Sequence, residues 1–145
     1  MPNNTDRLKR LKALADELSS YEIERRNNLK KLAELFRELR LEEKCGGFDA
    51  LFDFKAINLS GIALTQEKLG AVSEGKYAQI IGIKYVDHEG RRRARNINLR
   101  YFGRVEQLEE GLKRVIVEFV LRWRLEKSYR GVDHYRGLVK AAGSL

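Results

Sequence analysis

The chain has 145 residues, 43% of them hydrophobic and 34% charged, so it can bury a core and is not disordered throughout. Lys and Arg outnumber Asp and Glu by 29 to 21, a formal net charge of +8 at pH 7, which favours nucleic acid or another acidic partner. One cysteine excludes an intramolecular disulfide. With two histidines beside it, a zinc site is short of ligands, so no metal or other cofactor is expected.

Residues 5–44 read as helix, with Thr5 or Asp6 capping the start and no proline or glycine before Gly46. Leu8, Leu11, Ala15, Leu18, Leu29, Leu32, Phe36 and Leu39 follow a three-then-four spacing, the seam of a coiled-coil-like helix or a helical hairpin. Glu22 and Arg25 interrupt that seam. Two helices, or one helix bent at Ser19–Ser20, are therefore favoured over one helix with a polar insert in its seam; in the first case Ser19 caps the second helix and Glu22 completes a capping box. Gly46–Gly47 is expected to close the segment. About 40 helical residues cannot readily bury their own leucines. Leu8, Leu11, Leu18, Leu29, Leu32, Phe36 and Leu39 are thus the candidates for contact with a second copy or a partner helix.

Residues 48–65, "FDALFDFKAINLSGIALT", alternate loosely and change phase near Ala56, as a bulged strand does. Asp49, Asp53 and Lys55 make up the short acidic–lysine fragment found on strands of metal-dependent nucleases, but without an upstream carboxylate strand it reads as a solvated edge. A polar loop leads to two clear strand patterns, "KYAQIIGIKYV" and "RRRARNINLRYF". Residues 104–128 form an amphipathic helix, with Val105, Leu108, Leu112, Val115, Ile116, Phe119 and Trp123 on one face. Gly131 is expected to end it, leaving a short terminal helix in "VDHYRGLVKAAG". The expected fold is α+β: a helical segment over 1–47, then a domain over 48–145 in which a small antiparallel three-stranded sheet packs on one long amphipathic helix. No stretch approaches the roughly 20 apolar residues of a bilayer crossing, and "MPNNTDRLKR" lacks the apolar run of a secretory signal. The expected setting is a reducing cytoplasm, with no membrane partner.

A three-residue loop, His88–Glu89–Gly90, sorts the hairpin most cleanly. It sets Ile81 opposite Ile97 and predicts a core face of Tyr77, Ile81, Ile83, Tyr85, Ile97, Leu99 and Tyr101. The other face would carry Lys84, Arg92, Asn96, Asn98 and Arg100 among the small residues Ala78, Gly82 and Ala94. A two-residue turn at Glu89–Gly90 would shift the pairing by one and spoil that partition. Arginine matches guanine and asparagine matches adenine, so the polar face has the chemistry of a nucleic-acid reading surface. Arg91, Arg92, Arg93 and Arg95 are the candidates for phosphate neutralisation, and Asn96, Asn98 and Arg100 for base contacts.

The layout of 77–119, "YAQIIGIKYVDHEGRRRARNINLRYFGRVEQLEEGLKRVIVEF", resembles the Apetala-type, or integrase-type, DNA-binding domain, with "YFG" at 101–103 where that family places a glycine before its helix. Members dock the sheet in the major groove. The resemblance implies contacts from Lys84, Arg92, Arg93, Arg95 and Arg100. No nucleophilic elbow, phosphate loop or catalytic histidine pair accompanies these residues, so no catalytic site is expected. The expectation is a small basic nucleic-acid-binding protein, with DNA favoured over RNA. The alternative is a non-enzymatic assembly or adaptor subunit whose basic hairpin docks an acidic protein.

Overall fold

A computed structural model describes residues 4–145, apart from the side chains of residues 18 and 19. The leucine, lysine, glutamate and arginine that dominate the first part of the chain are strong helix formers, and they build one continuous helix, α1 (Asn4–Glu38). The expected break at Ser19–Ser20 does not occur, and Thr5 and Asp6 lie inside the first turn rather than before it. Nor do Gly46–Gly47 close this helix. It ends where Arg40 adopts a positive φ of 52°, with the Arg40 N–H donating to Arg37 and the Leu41 N–H to Phe36. That pair of reversed bonds is a Schellman ending, built here without glycine, and both Leu41 and Phe36 are buried beneath it. Gly46 instead stops a single turn, α2 (Glu42–Cys45).

The segment "FDALFD" is a 3-10 helix, Phe48–Asp53, not the start of a strand. Asp49 and Asp53 therefore do not sit on a strand as the nuclease fragment would require. Three antiparallel strands follow, β1 (Ala56–Ser60), β2 (Tyr77–His88) and β3 (Arg91–Arg104), in the spatial order β1-β2-β3. His88 pairs with Arg91, so the loop has two residues and the register is one residue away from the expected three-residue loop. Gly82 now faces Ile97, and Ala78, Ile80 and Gly82 form the covered side of β2 with Ile57 and Leu59 of β1. Tyr77, Ile81, Ile83 and Tyr85 point the other way. The cause is Phe54. Its ring lies so close over Gly82 that an added Cβ would come within 2.5 Å of Cε1. Gly82 is small to receive that ring, not to admit a ligand.

β3 carries two irregularities, at Leu99 and Phe102, where its pairing with β2 skips a residue. The first leaves Leu99 buried and turns Arg100 to the same side, where its Nη1 donates to the Leu39 carbonyl at the end of α1 (2.6 Å). Helix α3 (Glu110–Ala142) runs through Gly131 and Gly137, correcting the expected stop at Gly131. It packs antiparallel to α1, since Asn28 meets Arg122 while the earlier Arg25 meets the later Asp133. One core joins Leu32 and Phe36 of α1, and Leu39 just beyond its end, to Phe54, Ile57, Ile80 and Leu99, and to Ile116, Phe119 and Trp123 of α3. Each such fully buried side chain contributes roughly 1.5–3 kcal/mol. The buried Trp123 indole donates to the Leu51 carbonyl at 2.9 Å.

The polar gap in the α1 seam is where the two helices clamp. Asn28, 2% exposed, donates to the Arg122 carbonyl and accepts from Arg122 Nη1. Arg25 binds both Asp133 and the fully buried Glu126, whose Oε1 also meets Arg130 Nε at 3.3 Å. Asp133 and then Glu126 hold the Arg25 proton more firmly than usual. Arg25 is thus retained in the seam because α3 supplies its counter-charges. Closer to the start of α1, Leu8 and Leu11 are exposed, and the side chain of Leu18 lies outside the described residues.

Gly82→Ala should lower stability by about 1–3 kcal/mol in urea denaturation, because the Phe54 ring must move. Arg25→Ala should lower it by about 1–3 kcal/mol in the same assay, with Arg130 left as the remaining cation on Glu126.

Candidate nucleic-acid interface

The geometry of the site starts at its turn. Glu89 and Gly90 take φ of 52° and 76°, both left-handed, as a type I′ hairpin needs to follow the right-handed strand twist. Glycine adopts this freely, whereas glutamate is strained there. From the turn the two strands run out beyond the packed part of the sheet, and every residue from Asp87 to Asn96 is exposed.

The pairing assigns each charge to a side. Arg92, Ala94, Asn96 and Asn98 share the open face with Tyr77, Gln79, Ile81, Ile83 and Tyr85. Arg91, Arg93 and Arg95 lie on the other side, with Arg95 directly opposite Lys84 and Arg93 opposite Val86. Like charges directly opposed on a ladder repel. Among the described residues no carboxylate forms an ion pair with Arg91, Arg92, Arg93 or Arg95. The expected set is therefore divided. Arg92, Asn96 and Asn98 lie together on the open face as expected. Lys84 projects inward, with its Nζ over the Phe54 ring (4.6 Å), and Arg100 is held against α1.

The sequence pattern predicts the tyrosines in the core, yet Tyr77, Tyr85 and Tyr101 remain 47%, 42% and 53% exposed. The rings of Tyr77 and Tyr101 lie 5.7 Å apart, at a tilt of 37°. Beside them Asn98 Nδ2 donates to Gln79 Oε1 at 3.1 Å, a cross-strand amide pair that leaves the Asn98 oxygen and the Gln79 nitrogen without a described protein partner. Ile81 and Ile83 fill the middle of the face, half-buried, and do not join the core. Tyr85, at the turn end, is flanked by Lys55 Nζ at 4.9 Å and the Arg92 guanidinium at 4.7 Å. The signal that would have found this face was the dipeptide Glu89–Gly90, taken as the whole turn rather than as part of a longer loop.

Beside Tyr85 a cleft of about 400 Å³ is lined by Asp53, Phe54, Lys55, Tyr85, Arg92 and Lys127. Lys127 reaches it from α3, with its Nζ donating to the Phe52 carbonyl at 3.2 Å. Burial, and then Arg130, push the Lys127 pKa down. Among the described residues no three His, Cys, Asp or Glu side chains gather at metal-binding separation, and no helix is long and apolar enough to cross a membrane.

No protein-family model matches this chain, and comparison with curated proteins and with solved structures also gives no match. The case for function rests on the side chains themselves.

Glu89→Asn relieves the left-handed strain while keeping the turn type, and should raise stability by about 1 kcal/mol in thermal or urea unfolding.

Proposed function

We propose that this chain binds nucleic acid, with unpaired bases stacking on Tyr77 and Tyr101 and phosphates lying along the arginine hairpin. The observation that carries the reading is the open sheet face, where exposed tyrosines and an amide pair share a side with Arg92, next to a hairpin tip whose arginines have no ion-pair partner among the described residues. Exposed aromatic rings on a sheet offer every base a π-face, and amides alongside can bond base edges. Ile81 and Ile83 make the centre of this face too apolar for a phosphate-lined groove, which favours single strands over duplex. The like-charge opposition of Lys84 and Arg95 is relieved when a polyanion lies against it.

The resemblance to the Apetala-type domain supports DNA as the polymer, whereas stacking acts on the bases of DNA and RNA alike. Of the contacts implied by that resemblance, Arg92, Arg93 and Arg95 remain available to phosphates, and Arg91 joins them.

Fluorescence anisotropy with labelled single-stranded DNA, single-stranded RNA and duplex DNA over a salt series tests the reading. Arg92→Ala/Arg93→Ala/Arg95→Ala should flatten the salt dependence by about 0.7 in log–log slope for each phosphate of a single strand that is no longer neutralised. Tyr77→Ala/Tyr101→Ala should weaken binding by about 1–3 kcal/mol per stacked base with the salt slope retained. Binding of duplex alone would remove the tyrosine platform, and unaltered binding by both variants would remove the interface.

A further inference from the structure

Lys55, Arg92 and Lys127 come from three separate elements: the residue before β1, the start of β3 and the middle of α3. They converge on the cleft beside Tyr85, where Asp53 is the single carboxylate in the lining. All three are already placed by the fold. The Tyr85 ring holds Lys55 and Arg92 through cation–π contacts, and the Phe52 carbonyl holds Lys127. Less side-chain freedom is therefore lost when an anion arrives. Lys127 is partly buried, and its charge is opposed by burial and by Arg130, so a neighbouring anion would favour its protonated form.

The cleft also has a definite charge. Three cations of the lining face one carboxylate, while Asp87, the cross-strand partner of Arg92, lies outside the lining and makes no ion pair with it among the described residues. A phosphodiester within a strand carries one negative charge, whereas a phosphate monoester carries close to two at pH 7. The excess matches the monoester. Arg92 moreover belongs to both surfaces: it lines the cleft and stands on the open sheet face with the tyrosines. A strand lying along that face towards the turn would bring its end to the cleft.

We propose that the Lys55–Arg92–Lys127 cleft binds a phosphate monoester, supplied by the terminal phosphate of a nucleic-acid strand. The proposal rests on the nucleic-acid reading above and adds to it a preference for one kind of strand end.

The test compares short oligonucleotides that differ only in a 5′-phosphate, a 3′-phosphate or hydroxyl ends, measured by anisotropy on wild type, Lys127→Met and Lys55→Gln. One phosphorylated end should bind the wild type roughly ten- to a hundredfold more tightly than the hydroxyl end, the range of a charge-assisted hydrogen bond. That ratio should fall towards one in both variants. Lys55→Gln replaces an exposed side chain and carries the test if Lys127→Met does not fold. A parallel arm follows thermal unfolding in inorganic phosphate against chloride at matched ionic strength. Equal affinity for phosphorylated and hydroxyl ends, with the hydroxyl strand still bound, would overturn the cleft and leave the tyrosine platform standing. Phosphate stabilisation of the wild type that is lost in both variants, with no oligonucleotide bound, would support the cleft and overturn the platform.

Discussion

The contact of the Phe54 ring with Gly82 decides which side of the sheet is inside. A strand has only two phases, and a side chain at position 82 would exclude the ring, so the even-numbered residues of β2 must face the helices. Every feature of the open face then follows from that choice. Ala78 and Ile80 go inward with Gly82, while Tyr77, Ile81, Ile83 and Tyr85 go outward. The two-residue turn is the other half of the same constraint, since it transmits this phase to β3 and sets Arg92, Asn96 and Asn98 beside the tyrosines.

The helices support this arrangement at two points. The carbonyl end of α1 is bonded by Arg100 from β3, which ties the helix terminus to the sheet at its irregular pairing. Further back, Asn28, Arg25 and Glu126 join α1 to α3 through groups that can be satisfied in only one axial alignment. Apolar ridges alone would tolerate sliding by a turn, whereas a buried carboxylate with two cations would not. Glu126 Oε2 and the Tyr21 hydroxyl are nevertheless buried without a hydrogen-bond partner among the described residues, so the polar layer is incompletely satisfied there.

Much of the architecture was legible in the chain. The leucine spacing at 29–39 and the apolar stripe at 112–123 mark the two long helices, and the alternation on either side of Glu89–Gly90 marks the hairpin. The interruption at Glu22 and Arg25 read as a break because the partners of Arg25 lie more than a hundred residues away, on α3. Gly131 read as a stop for a similar reason: a helix already held by packing can absorb a glycine that would weaken it in isolation. The facing of the sheet was hidden because the row Tyr77–Ile81–Ile83–Tyr85 is the more apolar of the two, and only the distant Phe54 reverses the choice. Tyrosine can remain at a surface because its hydroxyl is solvated. The cleft was invisible in sequence, since Lys55, Arg92 and Lys127 belong to no common motif. The exposure of the β3 arginines Arg92, Arg93 and Arg95 was legible directly, from their charge and their place beside the turn.

The opposition of Lys84 and Arg95 has a mechanical meaning. Register partners that both carry a cation repel one another close to where the packing ends, and every residue from Asp87 to Asn96 is exposed. On the proposed reading, an anionic guest would offset that repulsion by lying across the strands. On that reading, capture of the guest and tightening of the ribbon would be one process.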